Sequence, residues 1–374
     1  MRLPKLTKPY HLKDFKFGLA ITVFVLSILG VLVIGSANES VQYKQIIGLV
    51  AGVIAMVAIS LIDYVWVLNF YWIIYVFNII ILVCTKLFGT TVNGAQRWID
   101  LGFTNFQPSE LTKLLMVIFF AKFLMEHEDD LNSMRTILSA VALIAPTLLL
   151  IVLQPDLSTT ISIALVFCVM MYLAGLSYKF IGTMLAILIP VAVIFISIVV
   201  QPNQPFLKDY QQKRILAWLE PEKYASDEAY QQNNSIMAIG SGQLTGKGLN
   251  NNTTTSVKNG NFISDPQTDF IFAIVGEELG FVGCGIVIGL LLLIIIQSIL
   301  IGIKSQDLAG RIICCGIAAQ IGFQSFINIG VATGVLPNTG IPLPFVSYGL
   351  TSLMSMYMGI GIVLNVGLQP KKYQ

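Results

Sequence analysis

The run FIFAIVGEELGFVGCGIVIGLLLLIIIQSILIG, residues 270–302, is apolar along almost its whole length and follows a polar stretch that ends at Asp269. A helix of this run would be about 50 Å long at 1.5 Å per residue, whereas the hydrocarbon core of a bilayer is about 30 Å thick. One end must therefore project from the membrane. We expect the span proper to cover about 279–301. Residues 269–278 would then form an exposed or cavity-lining entrance that spares its two glutamates deep burial.

The composition of the whole chain agrees with a membrane protein. The 374 residues are 55% hydrophobic and only 11% charged, against about 25% charged in a soluble domain. The net charge of +2 and the scattered basic residues exclude nucleic acid as a partner. His11 and His127 are the two histidines, and the topology below assigns both to the cytoplasmic side, which excludes a histidine base or zinc site on the outer face.

Apolar segments of spanning length recur along the chain, and we predict an all-α, polytopic membrane protein with about ten transmembrane helices. The predicted spans are 17–35, 46–63, 67–88, 109–125, 135–153, 158–177, 180–200, 270–302, 311–331 and 347–366. The sequence has no heptad pattern, no low-complexity tract and no repeat of fixed period. We therefore expect residues 1–374 to form one membrane domain.

The basic residues orient this domain. An even number of spans leaves both termini on one side, and an excess of Lys and Arg marks the cytoplasmic side. The terminal basic residues are Arg2, Lys5, Lys8, Lys13, Lys16, Lys371 and Lys372. We therefore expect both termini in the cytoplasm, an uncleaved first span, and a large outer loop, 201–269, between helices seven and eight. A loop of that length is typical of a functional segment.

The outer loop before the fourth helix carries candidate binding residues. We expect Ser109 to cap that helix, which makes Glu110 and Lys113 neighbours three residues apart on one face. They form a salt bridge at the helix entrance, or Arg97 pairs with Glu110 and leaves Lys113 free for an anion. Trp98 belongs to the same loop, and it is either part of a site or an interfacial aromatic anchor.

Two aspartates stand at breaks between polar and apolar sequence. Asp156, in Gln154-Pro-Asp156, is either the N-cap of the next helix or a residue that holds a metal or another cation. Asp269 precedes the eighth span, where an aspartate complements the helix dipole or serves as a catalytic base. The spacing alone leaves both pairs of alternatives open.

The long outer loop contains two further features. AIGSGQLTGKG, residues 238–248, has the glycines of a phosphate loop but not the spacing, because Ser241 stands where the first glycine is needed and Gly248 where a Ser or Thr is needed. We expect backbone flexibility near a bulky substrate instead. Residues 209–218 mix basic and apolar side chains and predict a helix along the membrane surface.

Four ordered motifs resemble those of the SEDS family of bacterial rod-shape, division and sporulation proteins, and the resemblance covers nearly the whole chain. The motifs are NGAQRWI (93–99) with QPSELTK (107–113); QPDLS (154–158); IGSGQLTGKG (239–248) leading to QTDFIFA (267–273) and GEELG (276–280); and GVLPNTGIPLPFVSYG (334–349). The sequence departs from the family at Gln267, where histidine is common, and at Leu350 and Thr351, which replace a Gly-Ser pair.

The resemblance implies a peptidoglycan glycosyltransferase of the bacterial cytoplasmic membrane. Its substrate would be lipid II, a disaccharide-pentapeptide on undecaprenyl pyrophosphate, and its cofactor a divalent cation, Mg²⁺ or Mn²⁺. Its partners would be a class B penicillin-binding protein, a transpeptidase, and other elongasome or divisome proteins. The family's essential acid corresponds to Asp269, with Asp156 as a second candidate metal ligand. The implied substrate-binding residues are Lys44, Arg97, Trp98, Gln107, Glu110, Lys113, Asp156 and Ser347.

These residues suit one inverting displacement. Asp269 would take the proton from the 4-hydroxyl of an acceptor GlcNAc as it attacks the anomeric carbon of the donor MurNAc, which gives a β-1,4 link. Arg97 and Lys113 would stabilise the leaving pyrophosphate. A lipid II flippase is the rival hypothesis, although we find no paired broken helices of the kind transporters use. A scaffold that only recruits a transpeptidase is the third.

Overall fold

The computed structural model of the protein describes residues 12–92, 95–100, 102, 105–201, 204, 209–224, 229–250, 256 and 262–369. Several residues used above lie outside these ranges: His11, Asn93, Gly94, parts of the predicted outer loop, and the terminal basic residues Arg2, Lys5, Lys8, Lys371 and Lys372. The cytoplasmic placement of both termini therefore stays a prediction.

Helices dominate the described residues. They are α1 (Phe17–Ala37), α2 (Glu39–Ser60), α3 (Tyr64–Leu68), α4 (Tyr71–Phe88), α5 (Pro108–Glu126), α6 (Met134–Val152), α7 (Leu157–Leu173), α8 (Tyr178–Val199), α9 (Asp209–Leu219), α10 (Tyr230–Ser241), α11 (Ile271–Ile303), α12 (Leu308–Ala332) and α13 (Leu350–Gly367), after a short 3-10 helix, Leu12–Asp14. Each predicted span overlaps one long helix. The largest difference in the bounds is at α2, which begins at Glu39 because the Asn38 side chain caps it by accepting from the Ser40 amide (3.1 Å).

Seven of the described helices are long and apolar enough to cross a membrane: α1, α2, α4, α6, α11, α12 and α13. α7 is a shorter apolar helix of 17 residues, and α5 carries four ionisable residues. The protein is an integral membrane protein with a helical bundle, while the count of ten spans stays a prediction.

A small sheet in the loop before α5 departs from the all-α prediction. Strands β1 (Thr90–Val92), β2 (Ala95–Asp100) and β3 (Asn105–Phe106) pair in antiparallel order, with Thr90 opposite Trp98 and Ile99 opposite Phe106. Strands of two to six residues are too short to give a clear period-two signal. The sheet fixes the loop that contains Arg97 and Trp98.

The centre of the bundle is formed by α12 and α13, which pack on α2, α5 and α11. Tyr357 of α13 is fully buried, and its hydroxyl donates to Ser27 Oγ of α1 at 2.8 Å. Large apolar side chains on α4 and α11, such as Ile73 and Leu292, are exposed. An apolar outer surface of this kind is suited to contact with lipid. The polar candidate residues lie at one end of the bundle, beyond this apolar surface.

A break at Gly280 divides α11, where φ is 65° and ψ is −163°. The break separates residues 271–279 from the long apolar part, in agreement with the prediction that the span proper starts near residue 279. Residues 243–248 supply backbone partners across it. These hydrogen bonds run from Phe281 N to Gln243 O (2.8 Å), Val282 N to Leu244 O (3.1 Å), Lys247 N to Glu277 O (3.0 Å) and Gly248 N to Glu278 O (2.9 Å). Each backbone group left unpaired there would cost about 1–3 kcal/mol.

The two glutamates before the break are buried, so the prediction that an exposed or cavity-lining entrance spares them deep burial is wrong. Glu277 and Glu278 are each 1% exposed. Glu277 Oε1 lies 2.8 Å from Lys247 Nζ, and Glu278 Oε1 accepts a hydrogen bond from Ser36 Oγ at 2.5 Å. Burial of these carboxylates is tolerated because a cation or a hydroxyl reaches each of them.

Two of the glycines in 238–248, Gly242 and Gly246, serve close packing and not flexibility near a substrate. A Cβ on Gly242 would overlap the carbonyl oxygen of Gly276, and a Cβ on Gly246 would overlap that of Glu278. Gly246 also has a φ of +78°, which disfavours other residues. The segment is therefore docked on α11.

Candidate functional site

The candidate residues lie mostly at one end of the bundle, where α5, α7, α11 and α13 begin. We call this end the site face. Helix starts at this end hold Gln107, Asp156 and Asp269, and the loop between α12 and α13 crosses it. Three separate motifs of the sequence meet here.

The turn that contains Asp269 is held by the loop before α13. The Ser347 hydroxyl donates to the carbonyl of Thr268 at 2.6 Å and accepts from the Leu343 amide at 2.7 Å. The amide of Tyr348 donates to the Gln267 carbonyl at 2.8 Å. Ser347, predicted as a substrate-binding residue, is buried and bridges these two segments.

Asn328 of α12 holds the same turn through its side-chain amide. Its Nδ2 donates to the carbonyls of Asp269 and Ile341, each at 2.8 Å, and Asn328 is 1% exposed. These hydrogen bonds connect the backbone of Asp269 to α12. Sequence reasoning missed Asn328, because an asparagine inside an apolar helix gives no indication of its distant partners.

The carboxylate of Asp269 is half-buried and lies beside Gly340, where a Cβ would be 3.3 Å from Oδ2. Among the described residues, we find no hydrogen-bond donor to this carboxylate. Burial raises the pKa of Asp269 to about 6; the positive charges of Arg214 and Arg97 oppose the shift, and the negative charges of Asp265 and Asp156 add to it. A carboxylate that is poorly solvated and has no donor is a stronger proton acceptor than an ordinary aspartate.

Arg97 connects the sheet to the start of α7. Its Nε donates to the Gln154 carbonyl at 3.2 Å, its Nη2 donates to the Pro155 carbonyl, and its Nη1 lies 3.9 Å from Asp156 Oδ1. Asp156 also caps α7 by accepting from the Thr159 amide at 3.2 Å. The N-cap interpretation of Asp156 is therefore correct, and the same carboxylate stands close to a cation.

Lys113 is not free for an anion in this structure. Its Nζ lies 2.7 Å from Glu110 Oε1 and 3.1 Å from Gln324 Oε1 of α12, and all three side chains are buried. The salt-bridge alternative is correct, and the alternative in which Arg97 pairs with Glu110 is wrong. Glu110 Oε2 has no partner among the described residues. Sequence reasoning missed Gln324, whose partner is 211 residues away.

The remaining candidates take less direct positions. Gln107, and not Ser109 as predicted, occupies the N-cap position of α5, and its Nε2 donates to Ser109 Oγ at 3.1 Å. Trp98 is half-buried in β2, where its carbonyl accepts from Thr90 Oγ1 at 3.2 Å. Lys44 is exposed in α2, and among the described residues it has no ion pair with the other candidates.

Arg214 is a further cation of the site that sequence reasoning missed. It lies in α9, and its charge opposes the shift in the pKa of Asp269 more than that of Arg97 does. The amphipathic pattern of residues 209–218 predicted the helix but suggested only a membrane surface for its basic residues. Arg97 and Arg214 together give the site a positive field suited to an anionic group.

Asp156 and Asp269 are carboxylates of the kind that hold a divalent cation, and a metal ion at this site stays a prediction. Among the described residues, no group of three or more His, Cys, Asp and Glu side chains could hold a metal ion. The negative charge of Asp156 is close enough to raise the pKa of Asp269. Mg²⁺ commonly uses one or two carboxylates and completes its shell with water and phosphate oxygens.

Comparison with known proteins agrees with this geometry. The family model described as FtsW, RodA and SpoVE cell cycle protein matches residues 12–372. The peptidoglycan glycosyltransferase MrdB of Escherichia coli K12 is 36% identical over 296 residues, which cover 78% of this chain and 76% of that protein. The stage V sporulation protein E of Bacillus subtilis is 36% identical over 330 residues, 86% of each chain.

A solved structure extends the likeness to the fold. A chain from a peptidoglycan synthase complex, studied for its coordination of polymerization and crosslinking, has a TM-score of 0.78 and 28% identity, and the match covers 94% of this chain and 97% of that chain. The chain is thus a member of the FtsW, RodA and SpoVE family of cell cycle proteins, the SEDS family.

Proposed function

We propose that the protein is an inverting peptidoglycan glycosyltransferase that polymerises lipid II into β-1,4-linked glycan. The observation that supports this most is the carboxylate of Asp269, which is half-buried and without a donor among the described residues, in the field of two arginines. Relatives with 36% identity are named for the same activity. The site face would be the outer face of the bacterial cytoplasmic membrane, with both termini in the cytoplasm.

Asp269 acts as the general base. It takes the proton from the acceptor 4-hydroxyl as that oxygen attacks the anomeric carbon of the donor sugar, and the bond to the pyrophosphate breaks in the same step. The pKa of about 6 leaves the group ionised at neutral pH and still basic enough to accept a proton. A single displacement inverts the anomeric centre.

Arg97 and Arg214 bind and orient the pyrophosphate of the donor. Arg97 is 22% exposed in its side chain and is held in place by the backbone around Asp156, so it faces the leaving group without reorganisation. Lys113 lies in a buried pair with Glu110 and contributes by supporting α5 and α12. This role replaces the direct phosphate contact expected from the sequence.

Asp156 and Asp269 are the residues that would hold a divalent cation, Mg²⁺ or Mn²⁺. When bound, the cation neutralises charge that develops on the pyrophosphate. The fit rests on two carboxylates beside a site for phosphate oxygens.

A transpeptidase of the class B penicillin-binding type is the proposed partner, together with other elongasome or divisome proteins. The supporting observation is the similarity to a chain from a complex that both polymerises and crosslinks peptidoglycan. A flippase is less consistent with the fold. Among the described helices, α11 alone contains a residue with non-helical backbone angles, whereas alternating-access transporters have broken helices in matching halves.

Polymerisation of purified lipid II tests the proposal. Wild-type protein in detergent should produce long glycan, and Asp269→Asn should reduce the rate by about 10²–10⁴-fold, the usual contribution of a general base. Asp265→Asn is the matched control, since Asp265 is an exposed acid of the same turn. A flippase or a scaffold would make no glycan with any variant. Near wild-type synthesis by Asp269→Asn would remove Asp269 as the base.

A further inference from the structure

The glycine-rich segment that crosses the break in α11 has no part in the chemistry proposed above. We define it as the clasp segment, residues 242–248. We propose that the clasp segment positions Asp269 by closing the break at Gly280, with Lys247 as the positioning residue. This inference rests on the proposed role of Asp269 as the base, and it assigns to the long loop a function in the geometry of the site.

The clasp segment satisfies the backbone groups that the break exposes on both sides. Phe281 and Val282, which follow Gly280, donate to its carbonyls, and Glu277 and Glu278, which precede Gly280, accept from its amides. A broken helix near a membrane must find such partners outside itself. The clasp segment thus takes the place of the missing helical hydrogen bonds.

Steric contacts fix the clasp segment to this one place. Gly242 and Gly246 lie so close to the carbonyls of Gly276 and Glu278 that neither can carry a side chain without displacement. Gly240, in the last turn of α10, has nothing within 4 Å of a Cβ and no positive φ. The same short stretch therefore offers two sensitive glycines and one matched control.

A buried charge holds the clasp segment against α11. Glu277 is 1% exposed in its side chain and lies 2.8 Å from Lys247 Nζ, whose side chain is 27% exposed. The hydroxyl of Ser256 also donates to Glu277, at 3.4 Å. Removal of the Lys247 side chain would leave the Glu277 carboxylate poorly solvated and without its nearby cation. Rehydration of that carboxylate would favour a shift of the end of the 271–279 segment toward solvent.

Residues 271–279 transmit this effect to the base. Every residue from Ile271 to Glu278 is buried, so we expect this helical segment to move as a rigid unit. Asn328 and Ser347 hold the turn at its beginning, and the clasp segment holds its end. If the clasp segment releases its end, this helical segment can shift along its axis and move Asp269 away from the acceptor hydroxyl. A misplacement of about 1 Å can lower the rate by about 10²-fold.

Kinetics and amide hydrogen exchange on the full-length protein test the inference together. In Lys247→Ala, the turnover rate with lipid II should fall by about 10–100-fold while the apparent KM stays within about twofold, because substrate-binding residues are untouched. The amides of Phe281 and Val282 should lose protection, and those of α13 should keep it. Lys247→Arg should restore both the rate and the protection.

The glycine variants supply an independent arm. Gly246→Ala should give the same loss of rate and of amide protection as Lys247→Ala, whereas Gly240→Ala should behave as wild type. If Gly246→Ala loses amide protection throughout the bundle, that variant is misfolded and Lys247→Ala alone tests the inference. Lys247→Ala only shortens a partly exposed side chain. Asp269→Asn should lose about 10²–10⁴-fold in rate and keep the four hydrogen bonds across the break.

Two results would overturn the inference. One is a wild-type turnover rate in a variant whose Phe281 and Val282 amides have lost protection, because the break would then be open without effect on the base. The other is intact protection in both Lys247→Ala and Gly246→Ala. An active Asp269→Asn protein would instead remove the proposed function, with the closure of the break still measurable, so the two failures are distinguishable.

Discussion

Aspartates at the two ends of the bundle differ in their hydrogen bonding: Asp63, which is buried, and Asp307, which is half-buried, lie at one end, and the half-buried Asp269 lies at the other. At the end away from the site face, Asp63 accepts from the amide of Val65 and from Gln369 Nε2, each at 3.0 Å. Asp307 accepts from the Gly310 amide at 2.7 Å and from the Tyr64 hydroxyl at 2.9 Å. At the site face, Asp269 has no such donor among the described residues.

The difference separates a structural carboxylate from a reactive one. Each donor to an ionised carboxylate stabilises the charged form and makes the group a weaker base. Burial, and then the charge of Asp307, raises the pKa of Tyr64, so its hydroxyl stays protonated and keeps donating. The far end of the bundle is therefore fixed, whereas the site face retains a carboxylate that can accept a proton.

After loss of the Asp269 carboxylate, loss of the Arg97 guanidinium should have the largest effect. Arg97→Gln should lower the rate of lipid II polymerisation by about 10²-fold, in the range for removal of one charge-stabilising group. Lys122→Gln is the control, because it removes a cation that pairs with Glu126 at the other end of α5 (3.1 Å). Equal rates for the two variants would mean that the field at the site face does not act on the reaction.

A fall in pH below the pKa of Asp269 should have the next-largest effect on the rate of lipid II polymerisation. A base works only as the carboxylate, so its contribution is present above its pKa of about 6 and is lost below it. At pH 5, the rate should be about tenfold below its plateau. A bound divalent cation favours the ionised form, so raising its concentration should move the midpoint to lower pH. A rate that is flat from pH 5 to 8 would contradict the proposed base.

Removal of the hydroxyl that bridges the turn and the loop before α13 should have a smaller effect. Ser347→Ala loses two hydrogen bonds, to the Thr268 carbonyl and from the Leu343 amide. We expect a loss of about tenfold in turnover rate, equivalent to about 1.4 kcal/mol. Ser347→Thr, which keeps the hydroxyl, should lose less. An increase in KM with unchanged turnover would instead support the direct substrate contact predicted from the sequence.

The smallest effect on the rate should come from the far end of the bundle. Tyr64→Phe removes the donor to Asp307 and should destabilise the fold by about 1–3 kcal/mol. The rate per folded molecule should stay at the wild-type value. Thermal unfolding in detergent measures the first quantity, and polymerisation normalised to folded protein measures the second. A slower rate at equal folded fraction would show that the two ends of the bundle are coupled.

The fold was largely predictable because its helices are long apolar runs. The bounds of α5, α6 and α8 agree with the prediction to within two residues, and the motifs of Arg97, Asp156 and Asp269 meet at one end as the alternation of spans requires. The break in α11 was not predictable, since an isolated glycine inside an apolar run is compatible with an unbroken helix.

The contacts that sequence reasoning missed join residues far apart in the chain. Lys113 is held by Gln324, and Glu277 is buried because Lys247 approaches it from the long loop. Neither pairing leaves a local pattern, since each depends on how two helices or a loop and a helix dock. The residue types at the site were predictable, but which of them face a substrate and which face each other was not.

The hydrogen bonds across Gly280 also limit how this protein can be recombined with its relatives. A chimera that exchanges the long loop but keeps the host α11 would join surfaces from two different parents at the contacts of Gly242, Gly246 and Lys247. Exchange of residues 242–282 as one block keeps both sides of the contact from a single parent. Loop grafts with a boundary inside that block should therefore express poorly, and those with boundaries outside it should give functional hybrids.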